Sequence, residues 1–164
     1  MNRSRSLIKS FVHAFRGIAF CVMYERNMRI HIVVTVYVML TALYFYELTR
    51  TELILLILTC VSVMSLEIIN TAIEVLTDKA SPEYSALARA AKDAAAGAVL
   101  LSSIAAVVIG VILLWDLERL MQIIGFFSEN LFALFTLLVS LVLAYIFVFN
   151  GKERRKRGIK RNDK

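Results

Sequence analysis

"EIINTAIEVLTD", residues Glu67 to Asp78, follows directly on "ELILLILTCVSVMSL", a run that is apolar enough for a membrane span. The question is why such a helix should continue into two glutamates, an asparagine and an aspartate. At about 100° per residue, Glu67, Asn70, Glu74 and Asp78 fall at roughly 0°, −60°, −20° and +20° around the axis, so they form one stripe more than two turns long. Ile68, Ile69, Ile73, Val75 and Leu76 keep the remaining surface apolar. Unpaired carboxylates in or near hydrocarbon are costly; in spanning helices they face a bundle interior and mark a functional path. For Asp78, a helix end emerging into interfacial water is an equally good account. For Glu67 and Asn70 that explanation is weaker, because the apolar residues continue past them and only one face is wet. From Glu52 to Glu67 the helix rises about 22 Å at ~1.5 Å per residue, which puts Glu67 near one interface and away from the bilayer centre. Transporter coupling sites tend to lie at the midplane. An interfacial acid suits an enzyme that meets a water-soluble reagent on one side and a lipid on the other.

The rest of the chain fits a membrane setting. Of its 164 residues 59% are hydrophobic, with a single proline and a mean hydropathy of +0.71. Ordinary soluble domains are roughly 45–50% apolar. Apolar runs cover 30–48, 51–66, 94–115 and 123–149, each near the ~20 residues that cross ~30 Å of hydrocarbon. The expected fold is therefore all-α, a polytopic membrane helical bundle of four spans with no linker, low-complexity tract or internal repeat. Residues 3–22 read as a basic amphipathic helix on the membrane surface, with Leu7, Ile8, Phe11, Phe15 and Ile18 on one stripe and Arg5, Lys9 and Arg16 off it. A cleaved secretory signal is a poorer reading, because "ERNMR" follows the short apolar piece with no small-residue cleavage pattern.

Lys and Arg concentrate in the N-terminal segment, in the 79–92 turn and in the tail from Lys152 to Lys164; Arg50 and Arg119 are left for the other side. Such residues are retained in the cytoplasm, so both termini and the 79–92 turn are expected there. The net charge of +6 then needs no nucleic acid, since topology and anionic headgroups account for it. Cys21 and Cys60 lie in apolar helical stretches without metal-ligand or C-x-x-C spacing and read as small core residues.

Three further groups belong on the cytoplasmic side. "YERNMR" sets Glu25 just before the first span, with Arg29 at i+4 as its expected structural partner. The turn "KASPEYSALARAAKD" brings Glu83, Lys92 and Asp93 to the mouth of the third span. Acids, an amide and a lysine around one crevice are what phosphoryl transfer requires. Carboxylates hold Mg²⁺ against phosphate oxygens, a lysine neutralises phosphate charge, and another carboxylate accepts the hydroxyl proton. No glycine-rich phosphate loop is present, so a kinase here would not use a soluble kinase fold. The small residues Ala94 to Ala98 are better explained by close helix packing.

Taken together, "ERNMRIH", "EIINTAIEVLTD" and "LARAAKDAAAGAVL" resemble the small bacterial integral-membrane lipid kinases, the diacylglycerol kinase and undecaprenol kinase family, over roughly residues 5–116. The resemblance implies a homotrimer of three-span subunits, each with an N-terminal surface helix, and active sites shared between neighbours. It implies Glu67 as general base on the lipid hydroxyl, with Asn70 beside it in the catalytic set. Glu25 and Glu74 would bind the Mg²⁺ that holds ATP. Lys92 and Asp93 would bind the nucleotide, Asp78 would be a further polar position of that site, and Glu83 with Tyr84 would contact the adenosine end. "KDAAAGAVL" and "NTAIEV" look more like the branch that uses undecaprenol than the one that uses diacylglycerol. The implied product is undecaprenyl phosphate, a carrier for cell-wall synthesis.

Two departures stand out. Where the family carries a basic residue near the start of the surface helix, Ser6 takes that register with Arg5 beside it, and neither is assigned the role. The family core ends near Trp115, whereas this chain continues through "DLERLMQ" into the apolar run at 123–149. Residues 1–118 are thus expected to form the kinase domain, and 119–164 an extra transmembrane helix with a basic tail suited to packing or partner binding. Two other classes compete. A small ion-coupled transporter would use the glutamates for protons or cations, but leaves Lys92 and Asp93 unexplained. A catalytically dead scaffold would not be expected to keep Glu25, Glu67, Asn70, Glu74, Lys92 and Asp93 intact.

Overall fold

A computed structural model describes residues 3–80 and 85–151 of the chain. Its helices are α1 (Arg3–Tyr24), α2 (Arg26–Phe45), α3 (Arg50–Ala80), α4 (Ala86–Leu114), α5 (Leu117–Glu129) and α6 (Leu131–Phe149), and no strand occurs among the described residues. All but α5 are long and apolar enough to cross a membrane, so the protein is an all-α polytopic membrane bundle. The least apolar of these five is α1. Its stripe of Leu7, Ile8, Phe11, Phe15 and Ile18 is exposed, while its C-terminal end docks on the bundle, with Cys21 buried against Thr71 of α3.

Local chemistry sets the helix ends. One extended residue, Glu25 (φ −103°, ψ 120°), separates α1 from α2. Ahead of α3, Thr49 and Glu52 form a reciprocal cap: Thr49 Oγ1 accepts from Glu52 N at 3.3 Å, and a Glu52 carboxylate oxygen accepts from Thr49 N at 2.8 Å and from the Thr49 hydroxyl at 2.7 Å. Asp116 caps α5 by accepting from Glu118 N at 2.9 Å and Arg119 N at 3.2 Å. Asn130 ends α5 and caps α6, its side-chain oxygen accepting from Ala133 N at 3.1 Å. The apolar run expected to span from 123 is therefore divided. The last helix that is long and apolar enough to span begins at Leu131, and Leu117–Glu129 is a separate amphipathic helix.

The hub of the bundle is α3, which packs most extensively on α4 and also touches α2 and α1. Ala95 and Val99 are buried on α4, consistent with small residues allowing close approach. On the other flank α6 packs against α2 and α5, with Tyr37 and Ser140 hydroxyls hydrogen-bonded at 2.8 Å. Between α2, α3 and α4 lies an apolar cavity of about 510 Å³. With 31 residues, α3 is about 46 Å long at ~1.5 Å per residue, well over the ~30 Å of hydrocarbon. Its polar C-terminal third can stand clear of the lipid.

Candidate functional site

Four hydroxyl side chains of α3 satisfy themselves within the helix. The hydroxyls of Thr59, Ser62, Thr71 and Thr77 donate to the carbonyls of Leu55, Leu58, Glu67 and Ile73 at 2.7 to 2.9 Å, the usual way a hydroxyl lies along a helix in an apolar setting. Glu67 does not. It is 1% exposed and is the largest fully buried side chain among the described residues, yet one of its carboxyl oxygens (Oε2) has no hydrogen-bond partner there. Asn70, one turn on, is also buried, and its Oδ1 likewise lacks a partner among the described residues, while its Nδ2 donates to Glu74 Oε1 at 3.4 Å. Leaving a buried acceptor unpaired costs about 1–3 kcal/mol, more for a charged group. Two such groups one turn apart mark the place where this bundle is built for something other than packing.

Three acids meet there. Glu67 lies within electrostatic range of Glu25, at the break before α2, and of Glu74 on its own helix. Asn27, two residues past the break, comes close to the same carboxyl. Thus α1 and α2 reach Glu67 through the elbow at Glu25, and α3 supplies the stripe read from the sequence. One turn beyond Glu74, Asp78 forms an ion pair with Lys92 of α4. The pair is partly exposed at the end of the stripe. Asp93 is exposed on α4 next to Lys92. Glu83 and Tyr84 lie outside the described residues.

Glu25 and Glu74 suit a hard cation in their donor type. No group of three or more His, Cys, Asp or Glu converges tightly enough to cage one among the described residues. Mg²⁺ typically takes one or two carboxylates and fills its shell with phosphate oxygens and water, so the two acids fit that role and no closed protein site is required.

One expectation is extended. Arg29 is a partner of Glu25 through charge and through its backbone N–H, which donates to the Glu25 carbonyl at 3.4 Å, but its guanidinium also does something the i,i+4 spacing does not show. The residue is 3% exposed, and its guanidinium donates to the carbonyls of Val22 at 3.2 Å, Met23 at 2.9 Å and Val148 at 3.1 Å. Sequence reasoning also missed Asn27, whose only signal is its place inside "ERNMR".

The sequence profile of the family described as prokaryotic diacylglycerol kinase matches residues 12–114. The chain is 43% identical over 106 residues to the diacylglycerol kinase of Synechocystis sp., covering 64% of this chain and 60% of that one. It is 38% identical over 112 residues to the undecaprenol kinase of Bacillus subtilis, covering 68% of this chain and 90% of that one. It is 44% identical over 63 residues to the diacylglycerol kinase of Escherichia coli, covering 38% of this chain and 52% of that one. The matched part of the chain thus spans somewhat over half the length of the Synechocystis and E. coli relatives.

Proposed function

Because the chain belongs to the prokaryotic diacylglycerol kinase family, we propose that it transfers the γ-phosphoryl group of ATP to the hydroxyl of a membrane lipid alcohol, undecaprenol in the first instance. The observation that carries this reading is the buried Glu67 carboxyl, with an oxygen left without a partner, between Glu25 and Glu74. In the reaction the alcohol oxygen bonds to the γ-phosphorus as the bond to the β–γ bridging oxygen breaks. ADP leaves and the hydroxyl proton passes to Glu67, which acts as general base. Asn70 sits one turn away to orient the hydroxyl. Glu25 and Glu74 would hold Mg²⁺, which when bound neutralises phosphate charge. Lys92, which pairs with Asp78 and precedes Asp93, would meet the phosphate chain from α4; Glu83 and Tyr84 would contact the adenosine end.

The site then faces the cytoplasm of a bacterial cell, with four spans, α1 on the surface and both termini inside, in line with the distribution of Lys and Arg. A homotrimer is the assembly proposed by family likeness. Residues 1–118 form the kinase unit, and α5 and α6 lie almost wholly beyond the family match. An ion-coupled transporter is disfavoured because α3 runs unbroken through the acidic stripe, whereas transporter sites are typically built on discontinuous helices.

Diacylglycerol is the second substrate reading, supported by the names of the Synechocystis and E. coli relatives; the greater coverage of the B. subtilis relative supports undecaprenol. The test is radiolabel transfer from γ-labelled ATP to each lipid in mixed micelles. Undecaprenol is expected to be phosphorylated with the higher kcat/KM. Faster turnover of diacylglycerol would reverse the assignment, and transfer to neither would remove the kinase reading.

A further inference from the structure

The break at Glu25 interrupts the helical ladder, so the carbonyls of Val22 and Met23, at the end of α1, lose the partners they would have in a continuous helix. Arg29 takes both. The same guanidinium donates to Val148, in the last turn of α6, a residue 119 positions away. One cation therefore closes two helix C-termini, where the backbone carries partial negative charge. The junction is tight. Gly151, just past α6, is buried against the Arg29 guanidinium, and a Cβ added there would overlap it. Arg26, at the start of α2, lies 5.9 Å from the ring centroid of Phe149. The Tyr37–Ser140 hydrogen bond holds the same two helices further along.

We propose that α6 is a positioning element of the active site: its C-terminal end seats Arg29, and Arg29 fixes the elbow that carries Glu25 toward Glu67. The proposal rests on the reading of Glu25 as a group that holds magnesium-bound ATP. It gives the helix beyond the family match a task at the site that involves no contact with substrate. Arg29 and Gly151 are positioning residues, and disturbing them should misplace Glu25 while leaving Glu67 on α3 untouched. The expected signature is weaker use of nucleotide at nearly normal chemistry.

The test uses the full-length protein in mixed micelles, with Gly151→Val, Gly151→Ala and, as a control, Gly125→Ala on α5, where an added Cβ meets nothing within 4 Å. Gly151→Val should raise KM for MgATP about five- to tenfold, with kcat at saturating MgATP and KM for the lipid within about twofold, and Gly151→Ala should shift the same way by less. The control should keep all three constants. KM does not depend on how much of the preparation is folded, so partial misfolding cannot imitate the result. If Gly151→Val is inactive, Gly151→Ala decides. A wild-type KM for MgATP in an active Gly151 variant, or a fall in kcat with KM unchanged, would overturn the proposal. Absence of phosphate transfer by the unmutated protein would instead overturn the kinase reading on which it rests.

Discussion

Asp78 and Lys92 form a contact of small weight for stability in a site proposed to bind nucleotide. Their ion pair is partly exposed, and pairs of that kind contribute about 0–1 kcal/mol. Asp78→Asn should therefore change thermal stability little. Lys92→Met removes the cation proposed to face the phosphates and should raise KM for ATP about tenfold or more, a loss of roughly 1.4 kcal/mol of binding. Steady-state kinetics beside a thermal melt separates the two effects. Glu74→Gln should raise the Mg²⁺ concentration needed for half-maximal activity, and chelation with EDTA should abolish transfer until Mg²⁺ is restored. At this scale the sequence was informative where periodicity carries the signal: Glu67, Asn70, Glu74 and Asp78 lie along one helix and share a stripe. It was uninformative for Arg29, because a partner 119 positions away leaves no local pattern. Glu83 and Tyr84 lie outside the described residues.

Between elements, boundaries depend on single residues that hydropathy does not weigh. Thr49 and Glu52 give a reciprocal cap ahead of α3, and the spacing T-x-x-E is visible in the sequence. Asn130 was harder to see, because the apolar run from 123 to 149 passes through it without a dip long enough to register. Its side chain nonetheless caps α6 and divides a short amphipathic helix from one long and apolar enough to span. Asn130→Ala should lower stability by about 1 kcal/mol, as loss of an N-cap generally does, and a shift of the detergent-solubilised melting temperature measures it. The acidic stripe is remote from this cap, so KM for MgATP should be unaffected.

For the whole molecule, the described residues bury few large apolar side chains, and long faces of α4 and α6 are exposed, including Leu100, Leu101, Val107, Ile112, Phe132 and Phe135. In a membrane these faces meet lipid or a second copy of the chain. A four-span arrangement with α1 on the surface predicts both termini on one side; a spanning α1 would separate them. Thiol labelling of single cysteines placed at Asn2 and Asp163 in sealed inside-out vesicles distinguishes the cases. Labelling of both from the outer, formerly cytoplasmic, face is expected, and labelling of only one would contradict the topology.

The shared premise is that Glu67 removes the proton from a lipid hydroxyl while the neighbouring acids and Lys92 hold the nucleotide. The most direct measurement is phosphate transfer from γ-labelled ATP to undecaprenol by Glu67→Gln beside the unmutated protein, at saturating MgATP. A fall in kcat of about 10²–10⁴-fold, with KM for MgATP nearly unchanged, is predicted for the loss of a general base. Transfer by the variant at the unmutated rate would contradict it.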